Sequence, residues 1–343
     1  MTQSSTPLEP IPADHQETLR AMLAQRPQIE ALTAHVHEDG VNRVYLVGAG
    51  GSLSVMYPLK FLFDQHATAF SSDLLTSAEL VARNPAALGP HSLVVVASHT
   101  GTTPETVQAA QLARSRGAHV VALTRLPESP LATTGNVAFT YGSDTTVSEA
   151  KLLLLYQLGL SLLHHFGQWD DYAGTMKALD TMPATLLHVK EQTEQRNAEI
   201  ATRFKDEPLI YTISCGPNYG VGYALAMCYL QEMQWIDAAS IHAGEFFHGA
   251  FEIVEENTPM IVFLGEDASR PEAERALRFA RRYSHKVEAI DTAELDLSGL
   301  DARYRGLMSP LVLSAIIPRL AAHFAAVRGH SLKIRRYMFK VEY

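Results

Sequence analysis

The chain has 343 residues, 47% of them hydrophobic, and a formal charge of −9 at neutral pH. This length exceeds the size at which a single hydrophobic core stops growing, so two domains are expected. The negative charge argues against a nucleic-acid partner, because proteins that bind nucleic acids neutralise phosphates with clustered Lys and Arg.

The targeting and redox features predict a cytoplasmic protein. The N-terminal segment MTQSSTPLEPIPADHQETLR has no basic stretch followed by an apolar run, so we predict no signal peptide. No segment reaches the ~18 uncharged apolar residues that are needed to span a membrane, and no membrane partner is expected. Cys215 and Cys228 lack the spacing of a metal or redox site and are expected to be reduced.

The first half of the chain predicts a parallel α/β sheet, because short apolar runs alternate with helical patterns. An amphipathic helix is predicted first, over residues 14–37. Five strands are predicted at residues 44–47, 67–71, 93–97, 119–124 and 137–140. The helices between and after them are predicted near residues 53–63, 104–116 and 148–167.

A glycine loop, Gly48 to Ser52, follows the first predicted strand. Its rival interpretation is a dinucleotide-binding loop, with Asp73 as the acidic residue that contacts the ribose. The third glycine of that fingerprint would fall on Leu53, whose side chain obstructs the close approach of the helix. We therefore favour a turn in which Gly51 and Ser52 approach a sugar phosphate.

A hydroxyl-rich loop, SHTGTT, follows the third predicted strand and leads into a helix that begins at Pro104. Its hydroxyls, free backbone amides and helix macrodipole can surround a phosphate without any lysine. The alternative is a polar turn with one helix cap, supplied by Thr102 or Thr103, which needs a single hydroxyl. We favour phosphate binding. The candidate contacts are Ser98, His99, Thr100 and Thr103.

The second half repeats the strand, loop and helix plan. Two charged helices, predicted over residues 172–179 and 184–204 and separated by Pro183, lead into it. Its strands are predicted at residues 209–213, 239–241, 260–264 and 287–290, and its helices at residues 219–235, 270–282 and 310–327. We divide the chain into a first domain over residues 14–183, a linker helix over 184–205 and a second domain over 206–343.

The main catalytic candidates are Glu232, in an apolar helix-like segment, and His248, which lies 16 residues later (248 − 232) in a turn between glycines. Carboxylate and imidazole groups are the side chains most easily tuned to move protons near neutral pH. Each has an ordinary alternative, a glutamate that faces solvent and a turn histidine with a structural role. The aromatic residues of GEFFHG favour catalysis, because a carboxylate among them, such as Glu245, is expected to be desolvated.

Other polar residues near this pair are candidate substrate contacts, namely His242, Glu245 and Glu252. A metal site built from His242, Glu245 and His248 must also be weighed, since three such ligands can hold a catalytic divalent ion. The segment has no HExxH helix and no clear further ligand, so we favour metal-free acid and base chemistry. We predict no metal and no cofactor.

These motifs resemble those of the SIS (sugar isomerase) family. The loop with Ser98, Thr100 and Thr103 is similar to the phosphate loop of that family, and the duplicated domains resemble its double-SIS members. Glu232 and His248 match the catalytic pair of the isomerase half of glutamine:fructose-6-phosphate aminotransferase. VVVASHTGTTPET, EMQWI, IHAGEFFHG, FEI and RRYMFKVEY look like the Amadori-compound deglycases, most like the 6-phosphofructose-aspartate deglycase and less like the fructoselysine 6-phosphate enzyme. The likeness extends from about residue 41 to residue 343.

The resemblance implies two SIS domains, each a five-stranded parallel sheet flanked by helices in a three-layer, flavodoxin-like arrangement. It also implies a sugar-phosphate substrate and a homodimer with the active site near the subunit interface. The related isomerase forms a Schiff base through a lysine near its C-terminus, and Lys340 is offset from that place by one position. Lys340 therefore either binds a substrate carboxylate or phosphate or lies in solvent. The implied substrate contacts include Gly51, Ser52, Glu149, Glu245 and Lys340.

The reaction implied by the resemblance is cleavage of a 6-phosphorylated fructosamine to glucose 6-phosphate and an amino acid, with Glu232 and His248 as base and acid. One alternative is isomerisation or deamination of an amino-sugar phosphate on the same pair. Another is a non-catalytic sugar-phosphate sensor. We disfavour the sensor because the ~40 residues before the first strand hold one predicted helix, too little for a DNA-binding helix-turn-helix.

Overall fold

The computed structural model describes residues 6–342, which form two compact units. One unit spans Pro12–Ala184, and the other begins at Thr185 and includes the segment before Pro12. The first five residues, part of the segment in which no signal peptide is predicted, and Tyr343, the end of RRYMFKVEY, lie outside the described residues. Each unit has its own parallel sheet.

The strands of the first unit are β1 (Arg43–Gly48), β2 (Ser71–Thr76), β3 (Ser92–Ala97), β4 (His119–Thr124) and β5 (Val137–Thr140). They form one parallel sheet in the order β2-β1-β3-β4-β5. Every residue of β3 is buried, as expected for a strand that helices cover on both faces. The predicted five-stranded sheet is confirmed, although β2 begins where the prediction ends, because residues 67–70 form the turn before it.

The helices of the first unit are α1 (His15–Leu23), α2 (Arg26–Glu38), α3 (Gly51–Ser54), α4 (Tyr57–His66), α5 (Ser77–Arg83), α6 (Pro104–Ser115), α7 (Pro130–Thr134) and α8 (Ser148–His165). The single helices predicted over residues 14–37 and 53–63 are each two helices. Pro27 and Pro58 explain both breaks, because proline fits the first turn of a new helix but cannot continue the preceding one.

A long helix, α9 (Tyr172–Gln192), follows and passes through Pro183. The predicted break at Pro183 is therefore wrong, and the chain instead breaks at Thr193, before α10 (Glu194–Phe204). A proline inside a helix removes one backbone hydrogen bond. Its flanking side chains, Met182 and Leu186, are fully buried, and this packing offsets the loss.

The strands of the second unit are β6 (Leu209–Ser214), β7 (Asp237–His242), β8 (Met260–Leu264) and β9 (Val287–Asp291). They form a parallel sheet in the order β7-β6-β8-β9, which has four strands rather than the expected five. After β9 the chain forms short 3₁₀ turns that the Asp291 and Asp301 side chains cap. Asp, Gly and Ser in that stretch favour turns over a fifth strand.

The remaining helices of the second unit are α11 (Tyr219–Ala224), a π-helix over Leu225–Gln234, α12 (Ala243–Phe246), α13 (Arg270–Tyr283) and α14 (Arg305–Arg328). Within the described residues, one stretch, Ala302–Arg328, is long and apolar enough to cross a membrane, although Arg305 and Arg319 leave it without ~18 consecutive uncharged residues. Its apolar window is 83% buried inside the protein, which is typical of a core helix. Such a helix is weak evidence for a membrane.

Candidate active site

Two loops of the first unit lie at the point where the strand order of its sheet reverses. In the order β2-β1-β3-β4-β5, this point is between β1 and β3, at the carboxyl ends of the strands. Ligands of open α/β sheets bind in the crevice at such a point. The glycine loop that ends at Ser52 follows β1, and the loop from Ser98 to Thr103 follows β3. The topology therefore brings the two predicted phosphate loops to one edge.

The hydroxyls of the second loop bond to one another. Ser98 Oγ lies 2.8 Å from Thr103 Oγ1 and accepts a hydrogen bond from the Gly101 amide at 3.1 Å. Thr100 Oγ1 accepts from the Thr102 hydroxyl at 2.8 Å. Since each hydroxyl can donate one hydrogen and accept two, the Ser98 and Thr103 pair keeps one hydrogen for a ligand. The loop is thus ordered and still able to donate to an oxyanion.

Gly101 sets the shape of this loop. Its φ is +67°, and a Cβ built on it would lie 2.3 Å from Ser129 Oγ and 2.7 Å from Thr124 Oγ1. Any side chain there is strained by the backbone conformation and also collides with both neighbours. The glycine therefore lets the loop pack closely against Thr124, at the end of β4, and against Ser129.

The Thr103 side chain does not cap α6. Thr103 occupies the N-cap position, but its hydroxyl makes no hydrogen bond to the helix amides and pairs with Ser98 instead. The alternative in which Thr102 or Thr103 caps this helix is therefore wrong for Thr103. Pro104 has no amide hydrogen to satisfy. The Thr106 and Val107 amides already donate to the Thr103 carbonyl, so what the first turn of α6 offers an anion is mainly the positive end of the helix dipole.

His99, the second residue of this loop, contacts the segment that follows β5. Its Nδ1 lies 3.0 Å from the Tyr141 hydroxyl, and its Nε2 lies 3.3 Å from an Asp144 carboxylate oxygen, which also pairs with Arg125. Burial lowers the pKa of His99, the nearby Lys151 ammonium lowers it further, and Asp144 opposes the change. His99 is therefore predominantly neutral at pH 7.

Lys151 is a functional candidate that the sequence did not reveal. Its ammonium donates to Ser52 Oγ at 2.8 Å, and the side chain is buried with 2% of its surface exposed. The sequence alone does not distinguish this lysine from one that faces solvent. The hydroxyl loop is also predicted to bind phosphate without any lysine. The one available signal was that its neighbours Leu152 to Leu155 leave α8 no polar face.

Glu149, predicted to contact substrate, is buried in the first turn of α8. Its carboxylate lies 3.6 Å from His15 Nε2, and both side chains are 1% exposed. This contact joins α1 to the first turn of α8, where Glu149 precedes Lys151 by two residues.

The corresponding position in the second unit is occupied by an acidic side chain. Between β6 and β8, the Asp267 carboxylate accepts hydrogen bonds from Asn218 Nδ2 at 2.8 Å and from the Ser269 amide at 2.8 Å. A carboxylate there repels a phosphate. The two units therefore differ in chemistry at equivalent topological positions, although both follow the same plan.

Glu232 lies in the π-helix of the second unit, where a single α-helix had been predicted. π-helical segments are rare and frequently occur at functional sites. Burial raises the pKa of the Glu232 carboxyl, while Arg335, whose Nη2 lies 2.9 Å from Oε1, opposes that rise. Glu232 is 26% exposed, so a ligand can still reach it. A carboxylate with a raised pKa is a stronger base.

Replacing Arg335 with methionine should move the acid limb of the pH–kcat profile to higher pH, since an adjacent cation lowers the pKa of a carboxyl group. Glu232 acts as a base only when ionised, and loss of the cation raises its pKa further. The control is Arg336→Met, which removes the adjacent arginine. Arg336 lies over the Trp235 ring, 4.4 Å from its centre, whereas Arg335 pairs with Glu232. An unchanged acid limb in Arg335→Met would show that this ion pair does not set the basicity of Glu232.

His248 and Glu245 are both exposed, so the expected desolvation of Glu245 is not observed. Their turn is anchored by Phe246, which is 1% exposed and packs edge-on against Phe247. His242 caps α12 by accepting from the Gly244 amide at 3.1 Å. The turn therefore buries Phe246 and leaves Glu245 and His248 exposed to solvent. Within the described chain, no hydrogen bond or ion pair joins the Glu232 and His248 side chains.

The residues that could share a metal ion lie elsewhere. Across residues 6–342, the candidate group is His35, Asp39 and His119, with each histidine Nε2 within 3.4 Å of Asp39 Oδ2. His119 is the first residue of β4, so this group lies at the amino ends of the strands, whereas the phosphate loops lie at their carboxyl ends. The trio of His242, Glu245 and His248 is not such a group. Lys340 is exposed in the C-terminal tail.

Comparison with known proteins gives a consistent picture. The SIS domain family matches residues 40–164. The chain is 38% identical over 318 residues to the fructosamine deglycase FrlB of Bacillus subtilis (strain 168), a match that covers 92% of this chain and 97% of that relative. It is 28% identical to the fructoselysine 6-phosphate deglycase of Escherichia coli (strain K12), over 94% of this chain and 93% of that relative. A Bacillus subtilis crystal structure described as a phosphosugar isomerase matches with a TM-score of 0.85 and 37% identity, covering 92% of this chain and all of that one.

Proposed function

Because the chain belongs to the SIS domain family, we propose that this enzyme is a deglycase that cleaves a 6-phosphorylated fructosamine, a ketosamine joined to an amino acid, into glucose 6-phosphate and the free amino acid. One observation carries the proposal beyond the family. The half-buried Glu232 carboxyl has a raised pKa, as a base that removes a carbon-bound proton near pH 7 requires.

The first chemical step is proton removal. With the sugar in its open keto form, Glu232 takes a proton from C1 and the electrons of that bond form an enaminol between C1 and C2. Glu232 then helps to return a proton to C2, which leaves an imine between C1 and the amino nitrogen. Water adds to the imine, the C1–N bond breaks, and the amino acid leaves as glucose 6-phosphate forms. Each positioned acid or base contributes about a hundred- to ten-thousand-fold in rate.

His248 is the proposed acid and water activator. An imidazole suits ring opening, protonation of oxygen and activation of water, because it changes charge near neutral pH. Its exposed position supports the proposal that it acts in a homodimer, in its own or in the neighbouring subunit's site. Ionic contact between Lys340 and a substrate carboxylate or phosphate is a further proposal. These steps use no metal and no cofactor.

The two loops of the first unit are the proposed phosphate site. The Thr100 hydroxyl and one hydroxyl of the Ser98 and Thr103 pair donate to the phosphate. Gly51 and Ser52 approach from the other loop, and His99 stays neutral beside them. Energy from binding the phosphate, which is remote from C1, can hold the reacting carbons in place. Within residues 6–342, Cys215 and Cys228 form no disulfide, which fits the proposed cytoplasmic location.

A panel of substrates tests the proposal. The protein is incubated with 6-phosphofructosyl derivatives of several amino acids, with glucosamine 6-phosphate and with fructose 6-phosphate, and the released amino acid and glucose 6-phosphate are quantified. We expect equal amounts of amino acid and glucose 6-phosphate from at least one fructosyl compound. Turnover of glucosamine 6-phosphate or fructose 6-phosphate alone would favour the deaminase or isomerase alternative.

A further inference from the structure

Lys151 is a buried cation that the proposed mechanism does not yet use. Its ammonium lies 2.8 Å from Ser52 Oγ and 5.6 Å from the centre of the Tyr141 ring. A buried ammonium is costly unless hydrogen bonds or opposite charge compensate for lost hydration. A methyl-bearing side chain would fill the same leucine-rich helix without that cost, so retention of a lysine here calls for a specific role.

The same ammonium connects to both phosphate loops. It bonds directly to Ser52 in the loop after β1. Its ring partner Tyr141 donates or accepts a hydrogen bond with His99 Nδ1 at 3.0 Å, and His99 belongs to the loop after β3. Because the two loops flank the point where the strand order reverses, a single positive charge near both can act on one bound anion.

The hydrogen bond also fixes how Ser52 can act. A lysine ammonium has three donors and no acceptor, so Ser52 Oγ must be the acceptor. The hydroxyl hydrogen of Ser52 then remains to donate to another group, and Ser52 is 7% exposed. The pair therefore presents one directed donor, backed by a full positive charge.

We propose that Lys151 is a positioning residue for the substrate phosphate: its ammonium orients the Ser52 hydroxyl as a donor to a phosphate oxygen and supplies the positive charge that the hydroxyl loops lack. This inference rests on the proposed function, since it needs a phosphorylated ligand. The ligand class is a sugar phosphate monoester.

The charges around His99 support this role. The groups that face His99 are Tyr141, Asp144, Arg125 and Lys151. Arg125 is paired with Asp144, and burial together with Lys151 lowers the pKa of His99. A neutral His99 adds no charge to the site, whereas the Lys151 ammonium lies close enough to lower the pKa of His99 and bonds to Ser52.

The test measures binding without turnover. Glucose 6-phosphate and inorganic phosphate are titrated into wild type, Lys151→Met and the control Lys190→Met by calorimetry, and the His99 ring is titrated with pH by NMR. Lys190 is a matched control, because it is also 2% exposed and donates to the Ala315 carbonyl at 3.1 Å in the second unit. Loss of a hydrogen bond to a charged group predicts about 10- to 100-fold weaker binding in Lys151→Met. We also expect KM to rise with little change in kcat, and the pKa of His99 to rise.

A folded Lys151→Met protein that binds both ligands like wild type and leaves the His99 titration unchanged would overturn the inference. If Lys151→Met does not fold, Ser52→Ala decides: about tenfold weaker glucose 6-phosphate binding supports the role, and unchanged binding rejects it. Wild type that binds neither ligand rejects the phosphate-site proposal itself. Wild type that binds while Lys151→Met is unaltered rejects the role of Lys151 alone.

Discussion

Replacing Glu232 with glutamine is expected to lower kcat for amino-acid release by at least about a hundredfold, because a positioned general base contributes that much or more. Glutamine has nearly the same volume and can still accept a hydrogen bond from Arg335, so the π-helix and its tail contact should persist. It cannot accept a proton from C1 at neutral pH. Binding of glucose 6-phosphate should therefore stay within a few-fold of wild type.

Two measurements separate lost chemistry from lost structure. Steady-state kinetics on a 6-phosphofructosyl amino acid give kcat, and calorimetry with glucose 6-phosphate gives affinity. Glu256→Gln is the control, since Glu256 is an exposed glutamate of the same unit, 3.3 Å from His285. Full activity in Glu232→Gln would remove this carboxylate from the mechanism.

The double change Ser98→Ala with Thr103→Val is expected to raise KM by about 10- to 100-fold while kcat changes little, because hydrogen bonds to a charged phosphate contribute more than neutral ones. It removes the hydroxyl pair that joins the two ends of the loop and the oxygen that holds the Gly101 amide. Phosphate donors are lost and the loop is less ordered.

The matched control is Ser115→Ala. Ser115 is the exposed last residue of α6, the helix that follows the loop, and its hydroxyl donates to the Leu112 carbonyl at 2.8 Å. KM is measured for the same 6-phosphofructosyl amino acid in each variant. An unchanged KM in the double variant would exclude this loop as the phosphate site. A fall in kcat alone would assign the hydroxyls to the chemical step.

The sequence predicted the first sheet well because its signals are local. Short apolar runs mark buried parallel strands, and the glycine and hydroxyl loops follow two of them directly, so the parallel order places both loops at one edge. Breaks and strand counts were less predictable. Pro183 lies inside a helix because buried neighbours offset its lost hydrogen bond, which a local pattern does not reveal.

The residues of the candidate site that the sequence missed are those that depend on distant partners. Arg335 meets Glu232 across about a hundred residues of chain, and Lys151 meets Ser52 across a similar span. Each looks like a surface cation in its own segment. The exposed position of His248 was also unpredictable, because Phe246 anchors its turn and the aromatic residues around it bury one another instead of the histidine.

The central claim, proton transfer from C1 before the C1–N bond breaks, is tested most directly with a 6-phosphofructosyl amino acid that carries two deuterium atoms at C1. Mass spectrometry and NMR locate the label in the sugar product. We predict glucose 6-phosphate with a single deuterium at C1, formed more slowly than from the unlabelled substrate. Fructose 6-phosphate that retains both deuterium atoms would contradict the claim, because it would mean that water displaces the amino acid without any transfer of hydrogen.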